Sequence, residues 1–382
     1  MKILFLDQSG KPGGAELCLL DVAKPYRDRC LVGLLADGSF RELLEQQGIP
    51  VQVLTGQSIQ VQKDSNLLKG LSSLGQLLPL SRQIAQLSRD YDVIYANTQK
   101  ALVVGAIASF LANRPLIYHL HDIVSAHHFS AINRKLIVTL ANRASLVIAN
   151  SHASAASFVA AGGNRDRVKV VYNGFDLQRY QHHADTAAHL RQTLGLDDRF
   201  VVGHFSRLSP WKGQHVVIEA LTHCSENVTA LLVGDALFGE DAYVDQLHQQ
   251  VEQLGLSDRV QLLGFRSDIP QLMTMCDLVA HTSTAPEPFG RVIVEAMLCG
   301  TPIVAAAAGG VVELIEQGKT GWLSPPGDAL KLADIIQQCQ SQPEQAIAIT
   351  DKAQQSASQR FNLETTNQQI AHLLSQVIRD RG

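Results

Sequence analysis

The residues with the most chemical potential stand in loops that follow apolar runs. After Phe200–Phe205 comes Ser206-Arg207-Leu208-Ser209-Pro210-Trp211-Lys212-Gly213, leading into a helix-length stretch from Gln214 to Leu221. Arginine offers a planar fork and lysine a point charge, so Arg207 and Lys212 flanking one turn suit a diphosphate. Two solvated loop cations are the plain alternative. Further on, Glu287-Pro288-Phe289-Gly290-Arg291 opens a second helix-length stretch, which carries Glu295. With a helix beginning near Phe289, the two acids stand roughly 12 Å apart, too far for a close acid/base pair. Each carboxylate can instead accept several hydroxyl hydrogen bonds, as in gripping a ribose or hexose diol. The Phe289 and Gly290 amides at the helix start suit a phosphate.

Three other loops carry fainter signals. Gln8-Ser9-Gly10-Lys11-Pro12-Gly13-Gly14-Ala15-Glu16 is neither G-x-G-x-x-G nor a Walker A loop, because no Gly-Lys-Ser/Thr follows at the required spacing. Gly13 and Gly14 still let backbone N–H groups approach a phosphate at a helix's positive end, with a tight strand-to-helix turn as the alternative. His119-Leu120-His121-Asp122 closes an apolar strand, so His119 and His121 share a face and Asp122 starts the loop. A zinc site would need further ligands at metal spacing, and the sequence offers none; structural histidines are the ordinary alternative. Gly309-Gly310-Val311-Val312-Glu313 permits close backbone approach to a ligand or a neighbouring loop.

Strand-like runs alternate with helix-length segments, the pattern of a parallel sheet with crossover helices. The first series is Ile3–Leu6, Leu31–Leu35, Val51–Leu54, Val93–Ala96, Leu116–Leu120, Leu146–Ala149 and Val168–Tyr172. The second is Phe200–Phe205, Thr229–Val233, Val260–Leu263, Leu278–His281 and Ile303–Ala306. Between them, Gly174 to Arg199 is polar, with His182-His183, and reads as a helix plus linker. The final stretch, Asn362 to Arg381, is amphipathic, with Ile370, Leu373, Leu374 and Val377 at helical spacing. Ligands in doubly wound sheets sit beyond the carboxyl ends of strands, where the loops above lie.

A chain of 382 residues is long enough for two ordinary α/β domains. Its 46% hydrophobic and 18% charged residues argue against general disorder. The six cysteines include no C-x-x-C pair, which argues against a disulfide scaffold or zinc ribbon and fits reduced, mostly buried thiols. Ile3 to Leu6 is too short for a signal-peptide core, and the longest apolar run, Ala101 to Ala112, is too short to span a bilayer. The net charge of −4 divides unevenly: residues 1–175 hold 18 Lys+Arg against 12 Asp+Glu, net +6, and residues 176–382 hold 14 against 24, net −10. A basic front half invites an anionic partner, with compositional drift between domains as the alternative.

Taken in order and spacing, the loops resemble a retaining glycosyltransferase of family 4. The resemblance runs through Gly13-Gly14-Ala15-Glu16, His121-Asp122, Ala149-Asn150-Ser151, Val171-Tyr172-Asn173-Gly174-Phe175-Asp176 and Arg207 to Gly213. It continues through Glu287-Pro288-Phe289-Gly290, Glu295-Ala296, Gly309-Gly310, Glu313 and Lys319-Thr320-Gly321-Trp322, with Glu287 and Glu295 matching the family's E-x7-E motif. It implies an α/β chain of the GT-B fold, two facing Rossmann-like doubly wound parallel-sheet domains with an interdomain cleft. The implied division is an acceptor-side domain over 1–175, a hinge over 176–199, a nucleotide-sugar domain over 200–360, and a C-terminal helix over 361–382 packing back on the first domain.

The resemblance also implies roles. Arg207 and Lys212 would bind the diphosphate of a sugar nucleotide, helped by the amides of Gly13, Gly14, Phe289 and Gly290, with Arg291 beside them. Glu295 would hold the ribose hydroxyls, and Gly264-Phe265-Arg266 would pack the nucleobase. Glu287, His121 and Asp122 would be the catalytic set around the donor sugar and acceptor. The leaving nucleoside diphosphate would be neutralised by the two cations and helix N-termini without a metal, and retention would arise from same-face attack. No cofactor is implied; a UDP-sugar is the expected co-substrate, and a glycan, lipid or small molecule the acceptor. The departures are His204 in an otherwise apolar strand, the Leu177-Gln178 pair after Asp176, and Thr55–Gly75, which fits no pattern.

Some readings stay open beside this one. A sugar-nucleotide 2-epimerase of the same fold is argued against by Arg207, Lys212 and the E-x7-E pair, and a non-catalytic sugar-nucleotide-binding protein by the full set of site residues. Asp90-Tyr91-Asp92 matches the D-x-D metal motif of another glycosyltransferase fold, but it precedes a strand and reads as a turn. No nucleic-acid partner is expected, and a cytoplasmic location, with peripheral contact at a membrane, is the expectation. The basic segment Asn133 to Arg143, with Arg134, Lys135 and Arg143, could meet anionic head groups peripherally, with Leu136, Ile137 and Leu140 against lipid or core.

Overall fold

The computed structural model describes residues 1–55, 67–181, 184–237 and 239–380. Of the stretches singled out above, part of Thr55–Gly75, His182-His183 and the last two residues lie outside them. Packing divides the chain into two units, Met1–Gly174 together with the chain from Leu363, and Phe175–Asn362.

The described residues of the first unit form a seven-stranded sheet of β1 (Ile3–Asp7), β2 (Cys30–Leu34), β3 (Val51–Val53), β4 (Val93–Ala96), β5 (Leu116–Leu120), β6 (Leu146–Ala149) and β7 (Val168–Val170). Every pairing is parallel, in the order β3-β2-β1-β4-β5-β6-β7. All residues of β1, β4, β5 and β6 are buried, as a parallel sheet covered on both faces requires, and that is why these strands are continuous apolar runs.

The second unit's described residues form a six-stranded parallel sheet of β8 (Phe200–Phe205), β9 (Val228–Val233), β10 (Val260–Gly264), β11 (Leu278–His281), β12 (Ile303–Ala306) and β13 (Trp322–Ser324), in the order β10-β9-β8-β11-β12-β13. Strand order therefore reverses between β1 and β4 in one sheet and between β8 and β11 in the other, the switch points where doubly wound folds bind ligands.

Each apolar run of both series becomes a strand. β13 was not among them: three residues, Trp322-Leu323-Ser324, carry no measurable period, and they become a strand only because β12 offers its edge, pairing Val304 with Trp322. The stretch expected as linker, 176–199, is counted with the second unit, where it forms a 3-10 turn (Leu177–Tyr180) and a helix (Ala184–Thr193). Arg191 holds that helix to the sheet, donating to the Met275 carbonyl at 2.9 Å and pairing with Asp277 at 3.0 Å.

The chain returns to the first unit as the helix Leu363–Arg379. Its Ile370 and Leu374 lie in the same core as Phe5, Tyr95 and Ile117. Gly174 makes the approach feasible, since a Cβ there would stand 2.7 Å from the Leu363 Cα. The basic helix runs Ala131–Ala141, with the Ser130 hydroxyl accepting the Asn133 N–H. Its Ile137, Val138 and Ala141 are buried, whereas Leu136 is exposed. Asp92 of the D-x-D sequence accepts the Lys2 N–H at 2.7 Å, pinning the start of the chain. Among the described residues no cysteine forms a disulfide and no helix is long and apolar enough to cross a membrane.

Candidate active site

The second unit gathers its polar side chains at the carboxyl ends of β8 and β11. After β8 the chain makes a 3-10 turn, Pro210–Lys212, closed by Gly213 at φ +76°. A Cβ there would stand 2.0 Å from the Thr282 carbonyl oxygen, so glycine alone lets the turn press against the loop after β11. Lys212 Nζ then donates to both oxygens of Glu287, at 2.8 and 3.1 Å. The Ser283 hydroxyl donates to Glu287 Oε2 at 2.9 Å, and His281 Nε2 lies 3.3 Å from the same atom. Burial by itself would raise the Glu287 carboxyl, but Lys212 and His281 outweigh it and hold the group well below the usual range. Glu287 is therefore a fixed negative charge and hydrogen-bond acceptor at working pH, not a proton donor.

The neighbours explain how this cluster is braced. His204 on β8 donates from Nε2 to the Lys212 carbonyl at 3.1 Å, and burial holds its ring neutral, down at about 3. An imidazole in an apolar strand is thus a support for the cationic turn. The Glu287 loop is fixed from its other side by Gly309, at φ +69°, where a Cβ would lie 2.2 Å from the Glu287 carbonyl oxygen, and by the Gly310 N–H, which donates to that oxygen at 2.7 Å. Of the two partners left open for these glycines, the neighbouring loop is the one in contact.

Arg207 pairs with Glu240, Nη1 to Oε2 at 3.1 Å, and the Ser209 hydroxyl donates to Oε1 of that carboxylate at 2.9 Å. Arg207 and Lys212 also bracket the Trp211 ring, at 5.7 and 4.1 Å from its centroid, within cation–π range. The helix carrying Glu295 runs Arg291–Leu298, starting two residues later than expected, with Gly290 as its N-cap at φ +94°. Phe289 precedes it, and its ring is core: 2% exposed, stacked 6.3 Å from Phe175 and edge-on 5.8 Å from Phe361. What Phe289 can offer a ligand is backbone. Glu295 Oε1 accepts from the Tyr180 hydroxyl at 3.4 Å and lies 3.6 Å from Arg291, whose guanidinium sits 4.6 Å from the Phe175 centroid. At the end of β10, Gly264 has φ +63°, Phe265 is 70% exposed, and Arg266 pairs with Asp268 at 2.8 and 2.5 Å. The exposed Phe265 face is free for stacking, while the Arg266 charge is spent on its neighbour.

The first unit holds a second cluster, at its own switch point. Gly13 caps the helix Gly14–Ala23, and its N–H donates to Glu16 Oε2 at 3.0 Å. The Gly13 amide expected to meet a phosphate is thus already bound to a carboxylate, leaving Gly14 as the glycine at the helix start. Asp7 accepts from Asn97 Nδ2 at 2.7 Å and from the Ser9 N–H at 2.8 Å. Burial pushes the Glu16 carboxyl up, with the Asp7 charge adding to it, and pushes Asp7 up against its hydrogen bonds. Asn97 Oδ1 in turn accepts from His121 Nε2 at 2.9 Å. Asp122 accepts from Gln99 Nε2 at 2.9 Å, and burial raises it. His119 lies beneath His121 with ring centroids 4.0 Å apart; its Nδ1 is 2.7 Å from the Tyr95 hydroxyl, and burial holds it neutral at about 3.

Within the second unit, then, Lys212 and Glu287 are in direct contact and Arg207 shares Trp211 with Lys212; within the first, His121 and Asp122 close the same strand. Sequence reasoning missed Ser283, His281, Glu240, Asn97 and Asp7. The first two had a faint signal, polar residues at the carboxyl end of a strand. Asp7, which ends β1, and Asn97, which follows β4, had the same signal and Glu240 none, but the contacts of all three join residues 33, 24 and 90 positions apart and leave no local trace.

The family model for Glycosyltransferase Family 4 matches residues 12–179, and that for Glycosyl transferases group 1 matches residues 185–356. Among solved structures, Anabaena HepE in complex with UDP-glucose is 62% identical, with 98% of this chain and 100% of that chain covered at a TM-score of 0.92. Among curated proteins, spore coat protein SA of Bacillus subtilis (strain 168) is 33% identical over 192 residues, 45% of this chain and 50% of that protein. The GDP-mannose-dependent alpha-(1-6)-phosphatidylinositol monomannoside mannosyltransferase of Mycolicibacterium smegmatis is 28% identical over 283 residues, 72% of this chain and 73% of that protein. The chain spans about half the length of the first curated relatives it matches. Two parallel sheets with polar clusters at their switch points, two adjoining family matches and a full-length resemblance to HepE lead to one conclusion: the chain belongs to the GT-B glycosyltransferases.

Proposed function

We propose that this protein transfers a hexosyl group from a UDP-sugar, with UDP-glucose the first candidate, to an acceptor hydroxyl, with retention at the anomeric carbon and without a metal ion. The observation that carries the reading is the buried Lys212–Glu287 pair, held by His281 and Ser283 at the switch point of the second sheet. The choice of donor is supported by the 62% identity to Anabaena HepE, whose solved structures include complexes with UDP-glucose and with UDP and glucose.

The hard step is departure of UDP from an oxocarbenium-like sugar. Arg207 and Lys212 neutralise the charge developing on the diphosphate, with the amides of Gly14, Phe289 and Gly290 adding N–H donors. Glu287, ionised throughout, offers hydroxyl contacts to the sugar and a negative charge beside the developing positive one. The bond from the anomeric carbon to the phosphate oxygen breaks, and the acceptor oxygen bonds to the same face. The acceptor proton passes to the leaving phosphate oxygen. Glu295 accepts from the ribose hydroxyls, and Phe265 stacks on the base. His121 and Asp122 are assigned to the sugar and acceptor.

The test is Glu287→Gln. UDP-sugar hydrolysis or transfer should fall by roughly 100-fold or more while UDP affinity stays within about threefold, since the lost charge acts on the transition state. Full activity in that variant would remove Glu287 from the mechanism, and a wild-type chain that binds UDP without turning over any UDP-sugar would make it a binding protein.

A further inference from the structure

His119 presents an anomaly that sugar transfer does not use. It is 2% exposed, its Nδ1 is engaged by the Tyr95 hydroxyl, and its Nε2 has no hydrogen-bond partner. A buried imidazole nitrogen left this way forfeits a hydrogen bond that buried polar atoms ordinarily make. Two other potential ligating side chains lie close to His119. One ligand atom each from Cys18, His119 and His121 lies within 4.8 Å of the other two. Cys18 comes from the helix after β1 and the histidines from the end of β5, so the sequence gives no spacing that would reveal the set.

We propose that Cys18, His119 and His121 form a binding site for one thiophilic divalent cation, zinc being the probe. The donor set suits it: one thiolate and two imidazoles are three protein ligands, which leaves a fourth position open. The surroundings suit it too. Asn97 Nδ2 donates to Asp7 and to the Ala15 carbonyl, so its Oδ1 faces His121 and fixes the proton on His121 Nε2. That places the lone pair of His121 on Nδ1, in the arrangement by which an outer hydrogen bond orients a metal-binding histidine. Tyr95 does the same for His119 by holding Nδ1, which points the lone pair to Nε2 once Nδ1 donates. The Cys18 thiol now donates to Asn173 Oδ1 at 3.3 Å. On binding, its proton leaves to solvent, the sulfur bonds the cation, and the Asn173 amide turns to offer its N–H to the thiolate. Metal–ligand bonds of about 2.0–2.3 Å put donor atoms roughly 3.5 Å apart, so the ligands must close by about 1 Å. Side-chain rotation of Cys18 and of the half-buried His121 supplies that movement.

The consequence rests on the functional reading above: a cation held by His121 withdraws that ring from the sugar, making the site inhibitory. The test separates the two. Titrating the metal-stripped full chain with Co2+ should yield the thiolate-to-cobalt charge-transfer band at one equivalent, and Zn2+ should displace it. Cys18→Ser should abolish the band, His121→Gln should weaken binding at least about tenfold, and Cys224→Ser should leave both unchanged. Absence of the band in the wild type overturns the proposal, as does its survival in Cys18→Ser. In the transfer assay, Zn2+ should inhibit the wild type, with Cys18→Ser resistant. A chain that binds cobalt in this way but transfers no sugar overturns the functional reading alone, and one that transfers sugar with no cobalt band overturns the metal site alone.

Discussion

Glu287 and Lys212 are a buried pair of charges whose proposed reactive role rests on a structural one. Their side chains are 11% and 15% exposed, so each is the other's main compensation for lost water. The ammonium is committed to the carboxylate; a diphosphate would compete for it, leaving Ser283 and His281 to hold Glu287. Lys212→Met should therefore do two things at once: weaken UDP binding about 100-fold by calorimetry, and lower stability by about 3–5 kcal/mol because Glu287 is left buried without its cation. Ser283→Ala removes one hydrogen bond to a charged group, of order 1.5–3 kcal/mol. It should reduce kcat by roughly tenfold with UDP affinity unchanged, as expected of a positioning residue. A Ser283→Ala enzyme with unaltered kcat would show that Lys212 and His281 suffice to place the carboxylate.

At the scale of elements, the site depends on how tightly loops are pressed together, and the glycines and the phenylalanine cluster are where that is decided. Phe289 joins the Glu287 loop to the helix Arg291–Leu298, and its ring is wedged between Phe175 and Phe361. Phe289→Ala should cost about 3–5 kcal/mol in denaturant unfolding, most of it in unit Phe175–Asn362. Gly174→Ala is the corresponding change in the other unit. A Cβ there meets the Leu363 Cα at 2.7 Å and the Thr366 side chain at 2.8 Å, so the C-terminal helix must shift, at about 1–3 kcal/mol. Hydrogen exchange should show the loss of protection concentrated in Leu363–Arg379; an even loss across the first unit would mean the helix is not the weak partner. Short elements such as β13 belong to this scale as well, since they exist only through the neighbour that pairs with them.

For the molecule as a whole, the two units carry opposite electrostatic liabilities. In the second, Glu287 is held below its ordinary value. Its contribution to stability is present above the unfolded value of 4.5 and is lost as pH falls through the folded one. In the first, Asp7 and Glu16 are held above their ordinary values of 3.8 and 4.5 by burial. There the folded unit keeps protons that the unfolded chain releases, so stability falls as pH rises from the carboxylate range through neutrality. Glu16→Gln retains an acceptor for the Gly13 N–H and removes the titration. Its Tm should fall less than the wild type's between about pH 5 and about pH 8, and a parallel fall in both would place the linkage elsewhere.

The sequence by itself determined the doubly wound fold and which loops are candidates for the site. Short continuous apolar runs such as Ile3–Leu6 and Leu278–His281, alternating with helix-length segments, read as covered parallel strands, and ligand loops follow strands. It also marked Arg207, Lys212, Glu287 and Glu295 as candidates, each with a solvated loop charge as the alternative and the four together through the resemblance carried by the E-x7-E motif. What it could not reveal is partnership. That Lys212 holds Glu287, that Glu240 holds Arg207, that Glu16 occupies the Gly13 amide and that Cys18 joins two histidines are contacts across 75, 33, 3 and about 100 positions. Only the shortest is local, a glutamate three residues after Gly13, and Gly13 has no side chain to complete the capping box that would announce it. Periodicity reports which face of an element is buried; which charge meets which across a switch point depends on sheet order and on close approaches such as Gly213 against Thr282, and those exist only once the sheet has formed.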